Sequence, residues 1–295
     1  MNAGVGTNED AYSGAPSAWI NLGSVPGSGC ERIEAFFSGQ AYAPHRHDTY
    51  AIGRTVSGVQ RFHYNGQVSD GVPGTAIVLH PDELHDGQAG TEYGFQYRMV
   101  YLDPALVQQA LGGCGPLPFI PGGVSSDPRL IKAIDGIVGD LSVPMETLQY
   151  DDAVYDLAHA LQAAASHSGE RQVATPDYRA ADRARDYIRH SEGCLISLQQ
   201  LELITGQDRW NLSRDFRTLF GTSPHRYLTM RRLDRAKISI TKGMPLAQAA
   251  LDAGFADQAH FNRHFRSAYG ITPARWRTLI KARCTIVQDR DVTSS

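Results

Sequence analysis

A chain of 295 residues with 42 % hydrophobic content and a net charge of −3 has room for about two globular domains. No apolar run approaches the roughly 18 residues that cross a membrane. The polar stretch Met1 to Tyr12 lacks a signal-peptide core, so a cytoplasmic protein without a membrane partner is expected. Cys30, Cys114, Cys194 and Cys284 are far apart and form no CxxC pair, which argues against a disulfide framework or a cysteine zinc site.

Residues 1–30, rich in Gly, Ser, Ala and Asn, are expected to be a mobile leader anchored at its end by Trp19 and Ile20. From Glu31 to Asp103 the pattern is short strands between turns. Ile33, Ala35 and Phe37 alternate with polar neighbours. Asn65-Gly66 separates two strand-like runs and predicts a two-residue hairpin. Val72-Pro73-Gly74 marks another turn, Thr75–Leu79 is apolar throughout, and Tyr93–Leu102 alternates again. Such spacing predicts a β-sandwich or barrel.

Within this region stand His45-x-His47, Gly58, Pro73-Gly74 and Pro81-x3-His85. Together they resemble the two half-motifs of the cupin barrel. Metal-binding cupins usually add a glutamate just after His-x-His. Here Thr49, Tyr50 and Ala51 fill that place, and Asp48 is a poor substitute. The expectation is therefore a ligand pocket with no metal and no cofactor, using His45, His47, Tyr50, Arg54 and His85. Phe62, Tyr64, Tyr97 and Arg98 are further candidates, although periodicity does not say which strand face points inward. Three neutral imidazoles can also bind a transition metal, and polar histidines at a barrel rim need no ligand at all. His63 and His80 read as ordinary strand residues.

Pro104–Leu111 predicts a short helix. Asp127-Pro128 opens a second with Leu130, Ile131, Ile134, Ile137, Val138 and Leu141, and a third runs from about Glu146 to Ala165. The last two either cover the sheet or join two subunits. Residues 166–177 read as a short polar linker. The chemistry then inverts: residues 171–283 hold 20 Lys+Arg against 10 Asp+Glu, whereas residues 1–170 hold 7 against 19. Seventeen of those 20 cations are arginines. A basic half on an acidic one points to a polyanion partner for the first alone.

In the basic half the chain repeats itself. Leu212-Ser213-Arg214-Asp215-Phe216-Arg217, then Gly221 and Ser223-Pro224, recurs 49 residues later as Phe261-Asn262-Arg263-His264-Phe265-Arg266, then Gly270 and Thr272-Pro273. Apolar residues at i, i+4 and i+7 make one buried helix face, the arginines lie off it, and Gly followed by Ser/Thr-Pro stops one helix and starts the next. Shorter stripes precede each copy: Leu198, Leu201 and Ile204 up to Gly206, and Leu246, Ala247, Ala250 and Leu251 up to Gly254. A helix, a glycine turn and an arginine-bearing helix make a helix-turn-helix. Two lie in tandem, joined by a long helix over 224–242, after a first helix over 179–190.

The run Pro224-x2-Tyr227-x4-Arg232-Leu233-x2-Ala236, then Ala250-x3-Gly254-Phe255-x5-Phe261-x-Arg263-x-Phe265, then Gly270-x-Thr272-Pro273 resembles the AraC/XylS-type transcriptional regulators over roughly 100 residues. One departure is Glu202, where that family usually has a small residue. The resemblance implies a cupin-like sensor domain, paired helices that form a homodimer, and recognition helices whose Trp210, Ser213, Arg214, Gln258, His260 and Arg263 face bases. Arg209 joins the same edge, and Arg217 and Arg266 are expected on phosphates. The expected fold class is α+β: a cupin-like β-barrel with paired helices (31–165), the linker (166–177), an all-α DNA-binding domain with two helix-turn-helix units (178–283) and a tail (284–295). The expected function is a ligand-responsive regulator, not an enzyme, whose partners are double-stranded DNA and a small-molecule effector. The alternative is a metal-dependent cupin enzyme fused to a DNA-binding module. A third reading is a constitutive DNA-binding protein whose barrel only dimerises.

Overall fold

The computed structural model of the chain describes residues 18–24, 30–113, 115–139, 141, 145–165, 175–191 and 196–280. Most of the expected leader and linker, the whole expected tail, and Cys114, Cys194 and Cys284 lie outside the described residues.

The N-terminal part is two antiparallel sheets. The first has the order β1 (Ala18–Ser24), β2 (Glu31–Phe37), β9 (Phe95–Leu102), β4 (Tyr50–Gly58), β7 (Ala76–Leu79) and β10 (Val124–Ser125). The second has the order β3 (Gln40–His45), β8 (His85–Ala89), β5 (Gln60–Tyr64) and β6 (Gln67–Gly71). β1 falls inside the stretch expected to be a leader. It pairs with β2 along its full length, and Ile20 is buried in the core between the sheets. The β5–β6 hairpin turns at Asn65-Gly66, where both residues take positive φ (49° and 74°), as a type I′ turn demands.

The β4–β9 register settles which strand face is which. Ala51 opposite Tyr101 and Thr55 opposite Tyr97 face the interior. Tyr50 opposite Leu102, Ile52 opposite Val100 and Arg54 opposite Arg98 face outward. That outer face is covered by α1 (Pro104–Ala110), α2 (Pro128–Val138) and α3 (Thr147–Ala165). Leu130, Ile134, Ile137 and Val138 of α2 and Leu157 and Leu161 of α3 are buried against Ile52, Val78 and Val100. The main apolar stripes of the paired helices are thus used within the chain, leaving Leu148 and Tyr155 as exposed apolar groups on α3.

The C-terminal part is helical: α4 (Tyr178–His190), α5 (Leu198–Thr205), α6 (Arg209–Phe220), α7 (Pro224–Thr241), α8 (Leu246–Asp252), α9 (Gln258–Tyr269) and a last helix over 273–280. Sequence spacing overstated the short helices. Leu198 and Ile204 of α5 and Leu251 of α8 are exposed, and burial rests on Leu201 and Thr205 in one and Ala249 and Ala250 in the other. The first unit packs Leu212, Phe216 and Leu219 with Ala181, Ala184 and Ile188 of α4. The second packs Phe261, Phe265 and Ala268 in one cluster with Met230, Leu233 and Ala236 of α7, and that cluster continues into the interior of the two sheets.

Candidate functional site

The two arginine-bearing helices are built alike. α6 starts at Asp208, whose carboxylate accepts from Trp210 N and Asn211 N. α9 starts at Asp257, which accepts from His260 N. Each ends at a left-handed glycine, Gly221 (φ 70°) and Gly270 (φ 68°). The N-cap aspartates are also 49 residues apart, so the repeat reaches one turn further than its arginine motif. An N-cap carboxylate satisfies otherwise orphaned amides in the first turn and so stabilises each helix start.

The expected DNA-facing residues divide by what already holds them. Trp210 is 79 % exposed, and Gln258, Arg263 and Arg266 are also exposed. Arg263 and Arg266 have no hydrogen bond or ion pair among the described residues. Arg209 is tied instead to Glu202: Nε and Nη2 donate to its two oxygens at 3.0 and 3.1 Å, and the Arg209 amide adds a third bond at 2.9 Å. That is what the unusual Glu202 does; it joins α5 to the start of α6. Arg214 reaches the buried Asp215 at 3.2 Å while staying largely open to solvent. Arg217 lies along its own helix, donating to the Ser213 carbonyl at 3.0 Å and to Ser213 Oγ. His260 is half-buried, with its Nε2 2.9 Å from Nε2 of His264.

In the N-terminal part the structure brings together three of the five expected ligand-binding residues. His45 at the end of β3, His47 in the turn before β4 and His85 at the start of β8 are buried, and each offers a ring nitrogen such that the three lie within 4.8 Å of one another. Nδ1 of each ring is engaged by a backbone carbonyl: His45 to Ala43 at 2.9 Å, His47 to Thr49 at 2.8 Å, His85 to Glu83 at 2.9 Å. A carbonyl only accepts, so each Nδ1 carries the proton and each Nε2 keeps its lone pair. Burial, followed by the other rings of the cluster, holds His45 and His47 well below the usual histidine range, and burial pushes His85 down to about 4. All three are neutral at pH 7. Neutral, carbonyl-oriented imidazoles are the form that ligates metals, and these three form a group that could hold an ion.

Tyr50 and Arg54 do not join them. Both point to the outer face, where Tyr50 donates to the Pro118 carbonyl at 2.7 Å and Arg54 pairs with Asp135 of α2 at 3.0 Å. Arg98 is also outside, bonded to Glu34 and the Gly139 carbonyl. Phe62, Tyr64 and Tyr97 do face the interior, which they fill with Phe37 and Phe95. Tyr97 shares a 2.7 Å hydroxyl contact with Tyr42. His63 is exposed on its strand and pairs with Asp86, and His80 packs its ring on Tyr50 and Phe119. A groove of about 490 Å³ opens beside the cluster, lined by Pro44, His63, Tyr64, Leu84 and His85 among others.

Sequence reasoning missed the contacts between the two parts. Arg231 of α7 pairs with Asp48 at 2.9 Å, and Asp48 is only 2 % exposed. Arg226 pairs with Asp82 at 2.5 Å and donates to the Arg46 carbonyl. Lys237 pairs with Glu31 and lies over the rings of Tyr269 and Trp276. Backbone bonds add to these: Ala43 N to Gly270 O and Arg46 N to Ser267 O, both 3.1 Å. The only sequence signal was opposite net charge in the two halves, which gives attraction without partners.

Residues 28–161 match the family described as AraC-like ligand binding domain, and residues 204–278 match a helix-turn-helix domain. An uncharacterized HTH-type transcriptional regulator, YbfI of Bacillus subtilis (strain 168), is 23 % identical over 77 % of this chain and 85 % of its own length. The probable transcription factor PqrA of Proteus vulgaris is 33 % identical over 30 % of this chain and 73 % of its own. Among solved structures, ToxT from Vibrio cholerae O395 shares the fold at 10 % identity with a TM-score of 0.60, covering 89 % of this chain and 97 % of its own. ToxT of strain SCE256 has been solved bound to an unsaturated fatty acid (12 % identity, TM-score 0.58, 90 % and 96 % covered).

Proposed function

The chain belongs to the AraC-type transcriptional regulators, and from that premise we propose how its residues perform the regulation. It is a DNA-binding regulator with a ligand-binding domain ahead of two helix-turn-helix units. The observation that carries the mechanism is the doubled helix: α6 and α9 have the same caps, the same buried face and exposed side chains at matching positions. Each enters one major groove. The helix α7 between them sets the grooves about one turn, roughly 34 Å, apart on one side of the duplex. Arg214 and Arg263 read bases by bidentate contact to guanine, each worth about 1–3 kcal/mol of discrimination, with Trp210 and Gln258 beside them. Arg266 holds phosphate, and Arg217 does so after releasing Ser213. Arg209 is a brace for α6, shared with Glu202, rather than a base reader.

The test is selection of bound sequences from a random DNA pool at one near-physiological salt concentration. Two boxes one helical turn apart are expected, with Arg214→Ala and Arg263→Ala each relaxing one box. Arg266→Ala should weaken every sequence alike and lower the salt slope by about one. Salt-sensitive binding with no enriched sequence would overturn this reading.

The effector acts where the sensor meets α7 and α9, because an effector shifts DNA binding only by favouring one arrangement of the two parts. A thermal shift with candidate small molecules, a fatty acid among them, separates this reading from a constitutive DNA-binding protein. We infer a regulator rather than an enzyme from the family matches, which place an AraC-like ligand-binding domain and a helix-turn-helix domain on the chain and pair it with HTH-type transcriptional regulators. The protein works in the cytoplasm as a homodimer. Leu148 and Tyr155, exposed on one side of α3, support an interface there, and sedimentation of the Leu148→Glu variant as a monomer is the expected result.

A further inference from the structure

The histidine cluster and the recognition helices meet in the same two turns. The turn over 43–49 carries His45 and His47, and the turn over 80–85 carries His85. A bond from Asp82 N to the His47 carbonyl at 2.7 Å joins them. Each turn also seats the C-terminal end of one recognition helix. A Cβ on Gly270, which ends α9, would lie 2.7 Å from the Ala43 carbonyl and 2.8 Å from His45 Nδ1. A Cβ on Gly221, which ends α6, would lie 2.6 Å from Pro81. Arg226 bridges the two turns through Asp82 and the Arg46 carbonyl.

We propose that His45, His47 and His85 bind one divalent transition-metal ion, and that this ion controls how the sensor domain grips the ends of both recognition helices. Three neutral imidazoles with no carboxylate suit a borderline cation such as zinc and disfavour magnesium or calcium. Three protein ligands leave a fourth position open. With metal–nitrogen bonds of about 2.0–2.1 Å, tetrahedral ligands stand roughly 3.4 Å apart. The ring nitrogens lie within 4.8 Å of one another, so at its widest the cluster is open by more than that spacing, and an ion would draw the rings, and the segments that carry them, closer together. Gly270 and Gly221 have no slack against them, so that movement passes to α9 and α6. The binding claim is independent of the regulator reading; the control claim rests on it.

The full chain is stripped with a chelator, and zinc is added in equilibrium dialysis. One ion per chain is expected. Affinity should fall at least 100-fold in His47→Ala and in His85→Ala, and stay unchanged in His63→Ala. Cobalt in place of zinc should give the visible absorption of a nitrogen-ligated tetrahedral site. That spectrum decides for the wild type even where an alanine variant melts early by circular dichroism. Less than a tenth of an ion per chain, or equal affinity in His47→Ala, overturns the site. Zinc should then change the affinity for the selected DNA at least about fivefold in the wild type and not in His47→Ala. Zinc bound with unchanged DNA affinity overturns the control while leaving the site. Absence of any selected DNA sequence would instead sink the regulator reading with the zinc data intact.

Discussion

Truncating Arg231 tests whether the two parts of the chain are held together by the contacts described above. Its guanidinium meets the Asp48 carboxylate at 2.9 Å, in a place where Asp48 is 2 % exposed. Burial pushes the Asp48 carboxyl up, and the charge on Arg231 pulls it back. Removing one partner of such a pair strands the other in low dielectric and costs about 3–5 kcal/mol. Asp48 belongs to the sensor and Arg231 to α7, so the loss falls on docking first. Two amides report docking and little else: Ala43 N and Arg46 N donate across the junction to Gly270 O and Ser267 O. Hydrogen exchange at both should speed up by roughly 100-fold or more in Arg231→Ala, since about 1.4 kcal/mol is tenfold. Amides in the β4–β9 ladder should change little. Adding Asp48→Asn to Arg231→Ala should restore much of the protection, because the amide carries no stranded charge. A change under threefold at both amides, or an equal change in the ladder, would refute the argument.

Trp210→Ala should lower DNA affinity by tenfold or more and leave the melting temperature unchanged, because the indole is exposed and packs on nothing that folding needs; the two are read by fluorescence anisotropy and calorimetry. Glu202→Ala should leave the melting temperature nearly unchanged, since the pair lies at the surface, yet raise DNA affinity at low salt by freeing Arg209; calorimetry and titrations at two ionic strengths check the two. The His80 imidazole is pushed down to about 4 by burial. The unfolded chain therefore takes up a proton first, and the stability from neutral His80 is present above about pH 6.5 and lost as pH falls through 4. Urea midpoints across that window should fall less steeply in His80→Phe than in the wild type.

Which parts were legible follows from the physics of each signal. The hairpin at Asn65-Gly66 was readable because positive φ selects those two residues and nothing else is required. The recognition helices were readable because Phe216 and Phe265 must be buried at fixed spacing while Arg217 and Arg266 stay out. Tyr50 and Arg54 were misplaced for a reason that also has a cause. β4 is apolar on both faces, with Ala51 turned to the interior and Ile52 to α2, so alternation carries no direction. The histidine cluster was half legible. The spacing marked the residues, but their carbonyl partners come from local turn geometry that residue types do not encode. Glu202 was legible only as a departure from a small residue, because its reason is a partner, Arg209, seven positions on.

The repeat itself explains why the junction was invisible. Gly221 and Gly270 occupy the same position in the two units and have the same reason to be glycine, a left-handed helix end. That requirement fully accounts for both in the sequence, so a second demand on the same atom leaves no trace. In the fold each is also a point of close approach, Gly221 to Pro81 and Gly270 to Ala43 and His45. The two demands separate in an experiment. Asparagine tolerates left-handed φ better than alanine does, so at an unconstrained helix end Asn should be the milder replacement. At Gly270 any Cβ meets the Ala43 carbonyl at 2.7 Å, and Asn and Ala should loosen the junction equally. Gly206 offers the comparison, with the same φ (71°) and open space around it. If Gly270→Asn leaves the Ala43 and Arg46 amides as protected as in the wild type, the sensor does not grip α9 through this glycine, and metal-driven movement of the 43–49 turn has no path to that helix.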